Sequence, residues 1–397
     1  MNIASTYRIF ITIKRLQISS TYHSNNIFPL LVSSTKTKPI WRYELFHIDI
    51  INNRGEYMIT FLGDIYLNKP YKIEFNIENY ICNLEYPISK HGKPALNKIN
   101  LRQEKSYIEE TFKQHPLAVC LANNHIMDYG EEAYKDTLSF CVKNNIKYFG
   151  AGNQYNNYNN PALLKIDTAT VGILGYCCPS TSSISGGQRA NGSSPLNEKR
   201  IAQDIDALKE KADRIIVVFH WGAEEIFYPK PYDVKIAHMA IDKGADLIVG
   251  HHSHCIQSYE IYKEKHIFYG LGNCIMPDID VMAYFTNNGK SIRFRQNQQI
   301  WNKYSLGIKY NPSNNDIEIF RMYFDGGTLT QSPYDIKKYY LPIKSVEEYQ
   351  RAFIKKFLCE KIKGRVRKYK QSPWVPGLKD AKYFYGLMWQ IIKKQYS

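Results

Sequence analysis

From residue 57 onward, short apolar runs alternate with stretches of helical period. The runs 57–64 (YMITFLGD), 115–125 (HPLAVCLANNH), 168–178 (TATVGILGYCC), 212–220 (ADRIIVVFH), 245–251 (ADLIVGH) and 265–273 (KHIFYGLGN) predict buried strands. Residues 131–145, 198–212 and 231–244 space their apolar positions for helices, two of them directly ahead of a predicted strand. Strands alternating with helices imply a layered α/β core. Residues 178–195 are rich in Ser, Gly and Asn and break the alternation, predicting a loop, either a surface insertion or a lid over a site. The first 56 residues show no period, and residues 351–397 differ again. Three segments follow: 1–56, an extension that is either dispensable or an arm on the core, with Met58 an alternative start to Met1; 57–350, the α/β domain; and 351–397, a basic aromatic tail.

Charge sharpens this division. The chain of 397 residues carries a net charge of +15, yet residues 57–350 hold 32 basic and 32 acidic side chains. The tail holds 13 basic against 2 acidic. The basic character therefore belongs to the ends and says nothing about a substrate of the core. Phe353, Phe357 and Ile362 fall on one side of a helical spacing in the tail, a pattern suited to an anionic membrane surface. The alternatives are a helix packed on the core or, less favoured, a nucleic-acid contact. No run reaches the ~20 apolar residues of a bilayer span, and Lys14 and Arg15 interrupt the only apolar piece near the start, so neither a transmembrane segment nor an export signal is expected. Eight scattered cysteines without CxxC spacing argue for a reducing compartment and for apolar filling rather than disulfides or nucleophiles. Walker A, Gly-x-Ser-x-Gly and dinucleotide-binding spacings do not occur.

The chemistry sits at predicted strand ends. Asp64 follows one run, Asn123, Asn124 and His125 another, His220 a third, and His251, His252 and His254 a fourth. Sites in open α/β sheets form outside the carboxyl ends of the strands, so these residues are expected to converge. In an extended segment His252 and His254, two apart, face the same side and share one cation, whereas His251 points away and supports them. With Glu85 and the Asn124 amide, this mixed N/O set suits Mn²⁺, Fe²⁺, Zn²⁺ or Mg²⁺ over thiolate-selected metals. Taken singly, each has a plainer explanation: Gly63-Asp64 as a turn pair, His220 as a structural hydrogen bonder, and 122–125 (ANNH) as the N-cap of the following helix.

The segments TFLGDIYL (60–67), CNLEYPIS (82–89), LANNHIMDYG (121–130), FHWGAEEIFYP (219–229), GHHSHCIQSYE (250–260) and IFYGLGNCIM (267–276) resemble, in order, the CapA family of capsule and poly-gamma-glutamate biosynthesis proteins. That domain is related to calcineurin-like metallophosphoesterases. The resemblance implies a four-layer αββα sandwich of the metallo-dependent phosphatase type. It implies metal ligands Asp64, Glu85, Asn124, His220, His252 and His254, His125 as general acid, and Asn83, Asn123, Asp128, Glu224, His251 and Asn273 in support. The cofactor would be Mn, Fe or Zn, the reaction hydrolysis of a phosphoester or polymer substrate, and the setting a capsule-synthesis complex in the cytoplasm or at the inner face of the membrane. A non-catalytic component of a polymer synthesis or export complex is the alternative. Two departures leave one metal, two metals or none open: Ile65 and Tyr66 follow Asp64 where the superfamily has Asp-x-His, and Glu85 stands where it has an aspartate.

Overall fold

The computed structural model describes residues 57–332, together with positions 351, 354, 355, 358 and 359, which are helical. The 1–56 extension, the 333–350 end of the expected domain and the rest of the tail lie outside the described residues. In chain order the strands are β1 (Ile59–Ile65), β2 (Lys72–Ile73), β3 (Tyr80–Leu84), β4 (Ala118–Cys120), β5 (Lys147–Phe149), β6 (Ala151–Gly152), β7 (Ala162–Ile166), β8 (Ala169–Cys177), β9 (Gly192–Ser193), β10 (Arg214–His220), β11 (Leu247–His251), β12 (Tyr259–Tyr262), β13 (Lys265–Phe268), β14 (Asn273–Ile275), β15 (Ile279–Phe285), β16 (Ser291–Gln296), β17 (Tyr304–Tyr310), β18 (Ile317–Phe324) and β19 (Thr328–Ser332). Within residues 57–332 the helices are α1 (Ile108–Phe112), α2 (Gly130–Lys143), α3 (Glu198–Leu208) and α4 (Pro231–Asp242).

Two sheets carry the fold. The larger runs β2-β19-β18-β17-β1-β3-β4-β5, with β14 also paired to β1. The smaller runs β12-β13-β11-β10-β8-β7. Strands β1, β3, β4 and β5 are mutually parallel in the first, as are β8, β10, β11 and β13 in the second. The central ones, such as β4, β8, β10 and β11, are near-continuous apolar runs because both faces are covered.

The packing separates into four layers. Phe61, Ile81 and Cys120 of the first sheet meet Ile173, Val218 and Val249 of the second in one shared apolar cluster between the sheets. On the far side of the first sheet, Tyr80, Leu84 and Val119 pack with Ile108 and Phe112 of α1 and Tyr134 and Cys141 of α2. On the far side of the second, Val217 and Phe219 pack with Ile201, Ile205 and Leu208 of α3 and Val234, Ile236 and Ala240 of α4. This order, helix–sheet–sheet–helix, is the predicted αββα sandwich.

Three local expectations are corrected. Gly63-Asp64 is no turn: β1 runs on through Ile65, and Gly63 is required because a Cβ there would stand 1.9 Å from the Gly272 carbonyl oxygen of the adjoining chain. Residues 178–195 are a loop, as expected, but an anchored rather than a loose one. A 3₁₀ turn at Pro179–Thr181 leads to β9, which pairs with β6, and the Ser193 hydroxyl donates to the Asn123 carbonyl. The ANNH segment does not cap α2, whose N-cap is Tyr129. The strands from β15 to β19 follow no pattern singled out above; on the half-exposed faces of β15, β16 and β18 apolar and polar positions mix.

Candidate metal centre

Asp64 lies in the buried end of β1, Asn83 near the end of β3, Glu85 just beyond β3, and His220 at the end of β10. Asn123 to His125 lie three to five residues past β4, and His252 to His254 directly after β11. Parallel strands in facing sheets bring these ends to one place.

Asn83 is the centre of the arrangement. Its Nδ2 donates to Asp64 Oδ1 at 2.8 Å and also to Glu85 Oε2, and lies 3.4 Å from His220 Nδ1. Its Oδ1 accepts from Asn123 Nδ2 at 3.1 Å. Asn123 in turn ties the next loop down, its Oδ1 accepting from the backbone N–H groups of His125 (3.0 Å) and Ile126 (2.8 Å). That side-chain turn is what the ANNH asparagine is for. Asn124 Oδ1 meets His220 Nε2 at 2.8 Å.

The histidine segment departs from the expected extended geometry. β11 stops at His251, and His252 and His254 take φ of 85° and 54°, in the left-handed region. The turn, not strand alternation, brings them together, with ring centres 6.0 Å apart and the His252 ring 4.7 Å from that of His220. Such backbone in non-glycine residues clusters at functional sites. His254 Nδ1 lies 2.9 Å from Asn273 Oδ1 and 3.4 Å from Asp64 Oδ2, which commits that nitrogen and leaves Nε2 as the free donor atom. His251 does not point away from the centre as expected: its Nδ1 lies 3.1 Å from Asp64 Oδ1. The backbone N–H of His252 donates to Asp64 Oδ2 at 3.2 Å.

Among the described residues, two groups of three have ligand atoms within 4.8 Å of one another: Asp64, Glu85 and His220, and Glu85, His252 and His254. Glu85 belongs to both. Glu85 Oε1 and His252 Nδ1 are buried without a hydrogen-bond partner, a state that costs about 1–3 kcal/mol per group unless something else fills it. Electrostatics point the same way. Burial, then the charge of Asp64, pushes the Glu85 carboxyl well above its usual range. Burial alone would also raise Asp64, but hydrogen bonds from His251 and His254 outweigh it and hold its carboxyl well below. Burial, with the neighbouring His252, drives His220 well below the ordinary histidine value, and burial takes His252 down to about 4. Burial opposes charge on His254 as well, yet the Asp64 hydrogen bond reverses it and lifts the imidazole to about 10. Two crowded acid side chains beside the neutral imidazoles of His220 and His252 form a donor set that a divalent cation would satisfy, its charge displacing the protons held by Glu85 and His254.

His125 stands beside this group. Its Nδ1 lies 2.5 Å from Asp128 Oδ2, and Asp128 is wholly buried. Glu224 acts on Glu85, His252 and His254 through its charge. All the expected site residues are thus gathered in one region. Missed were Lys98, whose ammonium donates to Asp128, Asn302, whose Nδ2 donates to the His254 carbonyl at 2.8 Å, and Gln298, 3.5 Å from Asn273 Nδ2. Each is a single polar residue in a connecting segment, with no spacing to announce it.

Two facing sheets flanked by helices, with buried acidic side chains and imidazoles at their carboxyl ends, define an αββα sandwich with a candidate metal centre. The chain belongs to the family described as bacterial capsule synthesis protein PGA_cap, whose model matches residues 74–278. It is 33% identical over 201 residues to the capsule biosynthesis protein CapA of Bacillus anthracis, covering 49% of each chain. It is 31% identical over 205 residues to the PGA biosynthesis protein CapA of Bacillus subtilis, covering 51% of this chain and 54% of the relative. The matched part thus spans about half the length of these curated relatives. A putative 5'-nucleotidase from Staphylococcus aureus aligns over 75% of this chain and 58% of its own at 13% identity and a TM-score of 0.37, so the layer order rests on this chain's own packing.

Proposed function

We propose that this chain is a metal-dependent phosphoester hydrolase serving synthesis of a capsule or related cell-surface polymer. The observation that carries the reading is the pair of unsatisfied buried ligand atoms, Glu85 Oε1 and His252 Nδ1, inside the two carboxylate–imidazole groups. Asp64, Glu85, His220, His252 and His254 would hold the cation, with the Asn124 amide beside them, and Mn²⁺, Fe²⁺ or Zn²⁺ suits those donors. Such a cation supplies Lewis acidity toward phosphoryl oxygens and makes water nucleophilic near neutral pH. His125, held through Nδ1 by Asp128, presents Nε2 as proton donor to the leaving oxygen. Asn83 and Asn123 keep the strand ends in register around it.

Supporting the polymer role is family membership, together with the names of the relatives, one for capsule and one for PGA biosynthesis. The test is hydrolysis of bis(p-nitrophenyl) phosphate and p-nitrophenyl phosphate by the Mn²⁺-, Fe²⁺- or Zn²⁺-supplemented chain, wild type against His125→Ala. Turnover that falls about 10²- to 10⁴-fold in the variant while metal content holds is the expected result.

A second reading, a non-catalytic component of a polymer synthesis or export complex, is favoured by one observation. Tyr66, where the superfamily has a ligand histidine, is packed at 2% exposure edge-on to Tyr86, its hydroxyl accepting from Gln103 at 2.7 Å. His125→Ala with normal metal content and normal polymer production in cells would favour this reading.

A further inference from the structure

Asp128 is a fully buried carboxylate, and its two oxygens are divided between two duties. Oδ2 faces His125 Nδ1 at 2.5 Å and accepts the Leu101 N–H at 2.6 Å. Oδ1 takes a hydrogen bond from Lys98 Nζ, and the same ammonium donates to the backbone carbonyl of Asn124. The Lys98 side chain is only 11% exposed, so it does not reach out as a surface cation. A buried carboxylate without a counter-charge is strongly disfavoured, and Lys98 supplies that charge while holding the second oxygen in place.

The segment carrying Lys98 is itself braced. The Ala95 N–H donates to the Asp128 carbonyl at 2.7 Å on one side. On the other, the N–H groups of Asn97 and Asn100 donate to the carbonyls of Phe285 (2.7 Å) and Ala283 (2.8 Å), both on β15. Asn100 Nδ2 adds bonds to the carbonyls of Ala95, Lys98 and Ala283. The β15–β16 hairpin lies beyond the family-matched residues 74–278, so a peripheral element holds the lysine against the centre.

We propose that Lys98 is a positioning residue: its ammonium fixes the rotation of the Asp128 carboxylate and the carbonyl of Asn124, and thereby the orientation of the His125 imidazole toward a bound phosphoester. The proposal rests on the reading of His125 as proton donor. Lys98 itself touches no reacting atom, because two of its three N–H groups are spent inside the protein.

The test uses the full chain with Lys98→Met, and with Lys98→Gln should the methionine variant fail to fold. With bis(p-nitrophenyl) phosphate as probe, kcat should fall about 10- to 100-fold while KM stays within about twofold and metal stoichiometry is unchanged. A readout free of turnover accompanies it: the long-range ¹H–¹⁵N spectrum of His125 without added metal at pH 8, assigned against His125→Ala. Wild type should show one neutral tautomer with the proton on Nδ1, and the Lys98 variants a mixture. An unchanged tautomer with unchanged kcat overturns the proposal, as does a rise in KM alone, which would make Lys98 a substrate contact. If wild type hydrolyses neither phosphoester, the hydrolase reading fails, and the spectrum still decides the place of Lys98.

Discussion

A single amide, that of Asn83, touches both carboxylates of the centre and leans on a third residue, Asn123. Removing it leaves Asp64 and Glu85, two buried acids, with less to hold them apart from free rotation. Asn83→Ala is therefore expected to weaken divalent-metal affinity about 10- to 100-fold, read by isothermal titration with Mn²⁺, with the fold retained by circular dichroism. Unaltered affinity would show that Asn83 only packs. The metal-competent residue types were legible in the sequence because histidines and a carboxylate closing apolar runs are conspicuous. How His252 and His254 meet was not, since positive φ in a histidine leaves no mark on composition or spacing. Lys98 was equally silent, one lysine among many in a loop 27 residues ahead of the histidine it serves.

At the level of elements, strand ends had to be placed to within a residue for the site to form, and glycine secures one of them. Gly63→Ala sets a methyl 1.9 Å from a backbone oxygen that cannot retreat without moving β14 and Asn273. A loss of about 3 kcal/mol or more in urea unfolding is expected, along with lost metal binding. A neutral substitution would mean that β1 and β14 are not so close. Helix α4 offers a pH test away from the centre. Burial pushes Asp233 up to about 6, although Lys230 opposes it by charge and by its N–H, which donates to Asp233 Oδ2 at 3.0 Å. The folded state thus holds this proton more tightly than the unfolded chain. Its contribution is fully present below about pH 4 and lost as the pH rises toward 6, leaving a cost of order 2–3 kcal/mol above that. Asp233→Asn, which keeps an acceptor for the cap, should match wild type near pH 4 and be more stable by roughly 2 kcal/mol at pH 7.5. Equal stability at both pH values would contradict the burial argument. Of the parallel strands, β1, β4, β8, β10, β11 and β13 were legible as apolar runs, whereas β3 and the short edge strand β5, which begins on an exposed lysine, were not. Strands β15, β16 and β18 were not either, because their half-exposed faces mix polar and apolar positions.

For the whole molecule, three apolar clusters wholly within the described residues account for a domain that stands by itself. A chain begun at Met58 keeps all of β1 and is expected to fold and bind metal as the full chain does, measured by thermal unfolding and metal content; insoluble protein would show that the extension is structural. The αββα order was readable from alternating strands and helices only with the family resemblance, since alternation alone leaves one sheet or two undecided. Among the described residues no helix is long and apolar enough to cross a membrane. In the tail, Arg351, Lys355 and Cys359 are exposed, whereas Ile354 and Leu358 are half-buried, one helical side against the other. With 13 basic and 2 acidic residues, the segment 351–397 is expected to bring the protein up with anionic liposomes in flotation and to lose that on deletion. Equal flotation with and without it would reject the membrane contact. The proposed chemistry depends on a cation between the strand ends. Elemental mass spectrometry of the purified chain, wild type against the His252→Ala/His254→Ala double variant, reads that directly. One or two equivalents of Mn, Fe or Zn in wild type, lost in the variant, is the predicted result. A wild-type protein that holds none, and takes up none when Mn²⁺, Fe²⁺ or Zn²⁺ is added, would contradict it and leave the histidines a structural remnant.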